Sequence, residues 1–283
     1  MPLVTTKEMI LEAQKGNYAV GAFNIENMEM VMAVIEAAQE LHSPVILQTT
    51  PSTVRYGGLS LYYASVKAAA ERATVPIALH LDHGSSFELS MQALREGYTS
   101  IMIDGSRLPF EENATLSRRV VDACHSCYIP VEAELGCVGG KEDELNEAEG
   151  GLTSADQAAE FVERTGIDYL AVAIGTSHGV YQKSPCIRID RLKEIKKKVS
   201  VPLVLHGTSG VDDDTVRTCI KEGISKVNYA TDLRIAYSEG IKRILNEDQS
   251  VIDPKIYGKM GRELVKRYVE GKMWVCKSSG RAF

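Results

Sequence analysis

Short apolar runs alternate with amphipathic stretches along the chain. The runs are YAVGAFN (18–24), PVILQTT (44–50), VPIALHLDHG (75–84), TSIMIDGS (99–106), IPVEAELG (129–136), YLAVAIGTSHG (169–179), VPLVLHGTSG (201–210) and SKVNYAT (225–231). Runs this continuous in Val, Ile and Leu predict strands buried on both faces, as in parallel sheets. The stretches between them, such as MEMVMAVIEAAQEL (28–41), ELSMQALREG (88–97) and SADQAAEFVERTG (154–166), place apolar residues at helical spacing. Eight strands alternating with helices over 283 residues predict an α/β protein, a (β/α)8 TIM barrel. Residues 253–283 add one or two helices as a C-terminal extension. An open doubly wound sheet is the competing architecture. Against it, GAFNIEN stands after the first strand, where a dinucleotide-binding fold would place GxGxxG. No linker composition marks a second unit, so 1–283 reads as a single barrel domain.

Every run becomes polar at its C-terminal end: Asn24, Gln48 with Thr50, Asp82-His83, Asp104 with Ser106, Glu132 with Glu134, His178, His206 with Ser209, and Asn228 with Thr231. In a barrel these ends surround one pocket, and that rim carries the chemistry. His83, His178 and His206 each stand at such an end and each is followed by Gly. Singly, each is a structural histidine; together, three converging imidazoles suit a catalytic zinc with a position left for substrate. Asp82, beside one of them, suits a base kept ionised near a cation. Glu132 and Glu134 share a face by the period-two rule and need a cation or hydrogen bonds there. Asp104 could share that role. His80 reads either as a residue backing the metal ligands or as a satisfied core histidine, the latter preferred, and His42 and His125 as structural or exposed. HGTSG (206–210) and Asn228 to Thr231 offer N–H groups and hydroxyls where barrels commonly seat phosphate. The alternative is ordinary turn glycines. The acidic loop VGGKEDELNEAEGGLT (138–153) brings Glu142 and Asp143, either as a movable acid or as a solvated charge run.

Composition narrows the partners. The net charge of −6 is spread along the chain with no basic block, which argues against nucleic acid. No apolar segment approaches a membrane span, and the first residues lack an export pattern. Six scattered cysteines suit the reducing cytoplasm. Cys124 and Cys127 form a lone CxxC, read as two thiols near a helix end rather than half a zinc ribbon.

Taken together, AFN (22–24), LHLDHG (79–84), MIDGS (102–106), VEAELG (131–136), AVAIGTSHGVY (171–181), PLVLHGTSG (202–210) and KVNYATDLR (226–234) resemble the class II, metal-dependent ketose-bisphosphate aldolases. The likeness runs from TTKEM near the start to the final GRAF. Within the family it is most similar to the tagatose-bisphosphate branch; fructose-bisphosphate enzymes usually have Asp where Ala230 stands. The resemblance implies Zn2+ on His83, His178 and His206, and a second or alternate metal position at Asp104 and Glu134. Asp82 would exchange the proton of the C4 oxygen, Asn228 would lie beside the enediolate, and Glu142 would move the C3 proton. Gly179, Gly207, Ser209 and Thr231 would cradle the dihydroxyacetone-phosphate phosphate, with a nearby Na+ or K+. Arg234 would reach a distal phosphate across subunits. Asn24, Thr50, Thr208, Tyr229 and Ala230 complete the expected substrate-binding set.

The implied reaction is reversible cleavage of tagatose or fructose 1,6-bisphosphate to dihydroxyacetone phosphate and glyceraldehyde 3-phosphate, by a homodimer or homotetramer. Lys255 stands where the family often has an Arg, and Tyr229 and Thr208 are bulkier than usual, so the sugar itself stays open. A related phosphorylated deoxyketose, or a non-catalytic partner subunit on this scaffold, are the alternatives. A Schiff-base aldolase would need a lysine at a strand end, and none of the eight ends has one.

Overall fold

The computed structural model describes residues 3–140, 151–179, 181 and 185–282. Its strands are β1 (Val20–Asn24), β2 (Val45–Thr49), β3 (Ile77–Gly84), β4 (Ser100–Ile103), β5 (Val131–Leu135), β6 (Gly139–Gly140), β7 (Tyr169–Val172), β8 (Ser177–His178), β9 (Leu203–Leu205) and β10 (Ile224–Tyr229). Eight of these close into a parallel barrel in the order β1-β10-β9-β7-β5-β4-β3-β2. The short β6 and β8 pair with each other outside it. Helices follow the strands on the outside, and the long helix Pro254–Cys276 packs across the helices Met28–Glu40 and Thr231–Glu247. No helix of the described residues is long and apolar enough to cross a membrane.

The alternation of side chains along each strand divides the core in two. One set, including Phe23, Leu47, Leu79, Leu81, Ile101, Val131, Leu170, Leu205 and Tyr229, faces the helices. The other set faces the barrel axis. Near the strand starts it is apolar: Val20, Ala22, Ile46, Ala78, Met102, Tyr169, Ala171 and Val204 pack against Met9, Ile10 and Ala13 of the helix Thr6–Gly16. That helix closes the N-terminal mouth. Toward the strand ends the axial set turns polar, and Gln48, His80, Asp82, Glu132, Glu134, His206 and Lys226 are all buried there. The expected run 169–179 is shorter as a strand. It leaves the barrel after Val172, turns at Gly175, whose φ is 101°, and re-forms as β8 at His178.

One irregularity shapes the site. The β3–β4 register shifts between Leu81 and Gly84, and His83 has φ 48°, a left-handed conformation unusual for a residue with a Cβ. Gly84 follows because a Cβ there would come within 2.4 Å of the Met102 carbonyl. A second feature lies at the acidic loop. Cys137 and Gly151 exchange backbone hydrogen bonds of 2.9 and 3.0 Å, which clasp its two ends together.

Candidate active site

Consecutive strand residues normally point to opposite sides. The bulge in β3 cancels that rule at Asp82 and His83: their side chains approach within 3.9 Å, and both are buried. Among the described residues three side-chain amides donate to Asp82. Asn24 donates to its Oδ2 at 2.9 Å, Gln48 to the same oxygen at 3.1 Å, and Asn228 to Oδ1 at 3.0 Å. Gln48 also donates to the Asn24 oxygen at 2.7 Å, so the amides form one lattice around the carboxylate.

The histidines converge from β3, β8 and the end of β9. His83, His178 and His206 each offer a nitrogen, and these lie within 4.8 Å of one another. Their ring centroids are 4.7 to 6.2 Å apart. Carboxylates back two of them. His83 Nδ1 sits 2.7 Å from Asp104 Oδ2, so the ring presents Nε2 on its other side. His206 Nε2 sits 2.9 Å from Glu132 Oε1, so that ring presents Nδ1. Glu134 Oε2 lies 3.2 Å from His206 Nδ1, yet neither atom makes a hydrogen bond among the described residues. Buried polar atoms in that condition fit a cation. Three imidazoles, two of them backed by carboxylates, make a group that could hold a metal ion. His83, Asp104 and Glu134 make a second close group.

Charge is handled below this cluster. Lys226 Nζ donates to Glu132 Oε2 at 2.8 Å, with both side chains wholly buried. Burial alone would raise the Glu132 carboxyl, but Lys226 and the two neighbouring imidazoles outweigh it and hold the group well below the usual carboxylate range. Burial and then Lys226 push the His80 imidazole far down, so it sits neutral, with Nδ1 on the Ser100 hydroxyl at 2.8 Å. Burial opposes charge on His206 as well, yet Glu132 and Glu134 raise it to about 9 in the metal-free protein. For Asp104 burial again acts upward, and the His83 contact overcomes it, leaving the carboxyl ionised.

Above the cluster lies a cavity lined by Asn24, Asp82, His178, Gly179, Gly207, Thr208, Ser209, Asn228, Ala230, Thr231 and Arg234. Gly207 has φ 64°, and a Cβ there would strike the Ser177 backbone at 2.7 Å. The helix Thr231–Glu247 begins at the cavity wall, bringing N–H groups suited to an anion beside Ser209. The Thr208 hydroxyl donates to the Asn228 carbonyl and ties β9 to β10.

Most expected site residues therefore meet in one place. Two are placed differently, and one lies outside the described residues. Tyr229 points away from the cavity, stacked on Phe23 at 5.4 Å in the outer layer, because it is one residue out of phase with Asn228. Thr50 caps the helix Pro51–Gly57 beside Ser52 and Thr53, off the cavity wall. Glu142, with Asp143, lies outside the described residues. Two residues of the site were not among the expected ones. Lys226 was passed over because it precedes the strand end, although its two-residue spacing from Asn228 places both on the axial face. Gln48 was seen only as a polar strand end.

Comparison with known proteins gives one answer. Residues 4–281 match the family model described as Fructose-bisphosphate aldolase class-II. The chain is similar to the YdjI aldolase from Escherichia coli K12, at 39% identity over 99% of this chain and 100% of that one, with a TM-score of 0.89. It is also similar to a putative fructose-1,6-biphosphate aldolase from Coccidioides immitis, at 32% identity over 97% and 96%, with a TM-score of 0.89. Fructose-bisphosphate aldolase (Fba) from Campylobacter jejuni shares the fold, at 22% identity over 98% and 96% and a TM-score of 0.84.

Proposed function

The chain belongs to the class II fructose-bisphosphate aldolase family and is a lyase, and from that premise we propose a zinc-dependent cleavage of a C1-phosphorylated ketose between C3 and C4. The products are dihydroxyacetone phosphate and an aldehyde. The C1-phosphate end is common to tagatose and fructose 1,6-bisphosphate, for which the aldehyde is glyceraldehyde 3-phosphate, and to any ketose 1-phosphate. The observation that carries this reading is the meeting of Asp82 with His83, His178 and His206 at one cavity floor.

His83, His178 and His206 would hold the zinc, which when bound supplies Lewis-acid polarisation of the substrate carbonyl. Asp82 takes the proton of the C4 hydroxyl as the C3–C4 bond breaks. Its three amide donors fix the rotamer before substrate arrives. The Asn228 amide, 3.0 Å from Asp82, stands beside the three-carbon fragment as charge develops there. Gly179, Gly207, Ser209 and Thr231, with the first turn of the helix Thr231–Glu247, cradle the C1 phosphate. Glu142 is assigned the return of a proton to C3. A Schiff-base route has no support among the described residues: the buried Lys226 is held by Glu132 behind the histidine cluster.

Dialysis against a strong chelator should abolish cleavage, and one equivalent of zinc should restore it. Borohydride added with substrate should leave no covalent adduct. Full turnover without bound metal, or a trapped lysine, would remove this mechanism.

A further inference from the structure

Arg234 is the cationic side chain on the cavity wall among the described residues. Its charge is already engaged. Arg234 Nε and Nη2 reach the same oxygen of Glu26, at 2.8 and 2.6 Å. Glu26 follows directly on the end of β1, and it is anchored independently of the arginine. The Thr53 hydroxyl donates to its other carboxylate oxygen at 2.8 Å, and the Tyr62 hydroxyl donates to its backbone carbonyl at 3.0 Å. Both members of the pair are partly exposed, at 40% for Arg234 and 27% for Glu26, so the ion pair contributes little to stability. A carboxylate fixed so firmly beside a pocket arginine has a different consequence: it decides what that arginine can offer a ligand.

From this pairing we propose that Glu26 is a specificity-determining residue that withholds Arg234 from a second phosphate, so the preferred substrate is a ketose 1-phosphate whose far end carries hydroxyls. The inference rests on the aldolase reading of the same cavity. On the proposed reading the C1 phosphate rests on the backbone N–H groups and hydroxyls of Gly179, Gly207, Ser209 and Thr231, which leaves Arg234, on the same cavity wall, to the far end. A phosphate at the far end would have to share the guanidinium with a carboxylate oxygen already 2.6 Å from it, and would face that carboxylate's charge. A hydroxylated end carries no charge for that carboxylate to repel. Discrimination here comes from a built-in repulsive element.

The test compares fructose 1,6-bisphosphate with fructose 1-phosphate on the zinc-loaded protein, as wild type, Glu26→Gln, and Glu26→Gln with Arg234→Ala. Wild type should show the higher kcat/KM on the 1-phosphate. E26Q should raise the bisphosphate-to-monophosphate ratio about tenfold, mainly through KM for the bisphosphate. Adding R234A should cancel that rise, since the gain requires the released guanidinium. A ratio that is unchanged or lower in E26Q, a rise that survives loss of Arg234, or a wild type already favouring the bisphosphate would overturn the proposal while leaving the aldolase reading in place. If the loaded protein cleaves neither these two sugars nor their tagatose epimers, the aldolase reading fails, and calorimetric affinities of the same two sugars give the same ratio without turnover. Binding of neither sugar would overturn both.

Discussion

Asp82 and His83 are neighbours in the chain, but their surroundings are made of opposite materials. Asp82 receives three hydrogen bonds from neutral amides, those of Asn24, Gln48 and Asn228. The histidines are backed by carboxylates, Asp104 at 2.7 Å on His83 and Glu132 at 2.9 Å on His206. The difference suits the tasks proposed for them. A base must take up a proton and give it back. Amides fix the orientation of the carboxylate without setting a full charge against it. A metal ligand must keep one tautomer and one ring orientation, and a carboxylate on the far nitrogen does both while making the imidazole a better donor. The strong cation of the site, Lys226, is placed on Glu132, one step behind the ligands and away from Asp82.

Breaking each side separately should give different phenotypes. The largest effect belongs to the base: Asp82→Ala should lower kcat by about 10²–10⁴-fold while zinc content, measured by elemental analysis, stays at the wild-type level. Loss of zinc together with activity would merge the two sides. On the ligand side, Glu132→Gln should weaken zinc binding by about 10–100-fold in a chelator competition. The same change leaves Lys226 buried without its charge partner, so a denaturant titration should show a loss of about 3–5 kcal/mol. Unaltered zinc affinity in a folded E132Q protein would remove Glu132 from the positioning of His206. The smallest effect tests the amide lattice. Gln48→Ala removes one of the donors to Asp82 and should cost about 1 kcal/mol of transition-state stabilisation, a several-fold fall in kcat, with zinc affinity unchanged.

The barrel was legible because burial on both faces writes strands as continuous apolar runs, and the rim was legible because each run stopped being apolar at the same end. Axial positions obeyed the period-two rule once one of them was known. That rule, applied backward from Asn228, would have put Lys226 inside the barrel; applied forward, it would have taken Tyr229 out of the pocket. His80 was read correctly as buried, but burial alone did not reveal that it lies 3.7 Å from Glu132 in the charged layer under the histidines. The joint aim of Asp82 and His83 was not legible, because it depends on a left-handed φ at a non-glycine residue, which no residue type announces. Nor was the Glu26–Arg234 pair, whose members are far apart in the chain and meet only once β1 and β10 lie side by side.

The clasp between Cys137 and Gly151 has a consequence for engineering. Cys137 and Gly151 already meet through backbone hydrogen bonds and Gly139–Gly140 pairs with Ser177–His178, so an exchangeable segment is bounded by Gly140 and Gly151. Its length and composition can change without pulling on β5, since lengthening a closed loop adds little entropic cost. Segments from relatives could be exchanged there, leaving the histidine cluster and Asp82 as a fixed chassis on which the proton-returning group is swapped and compared.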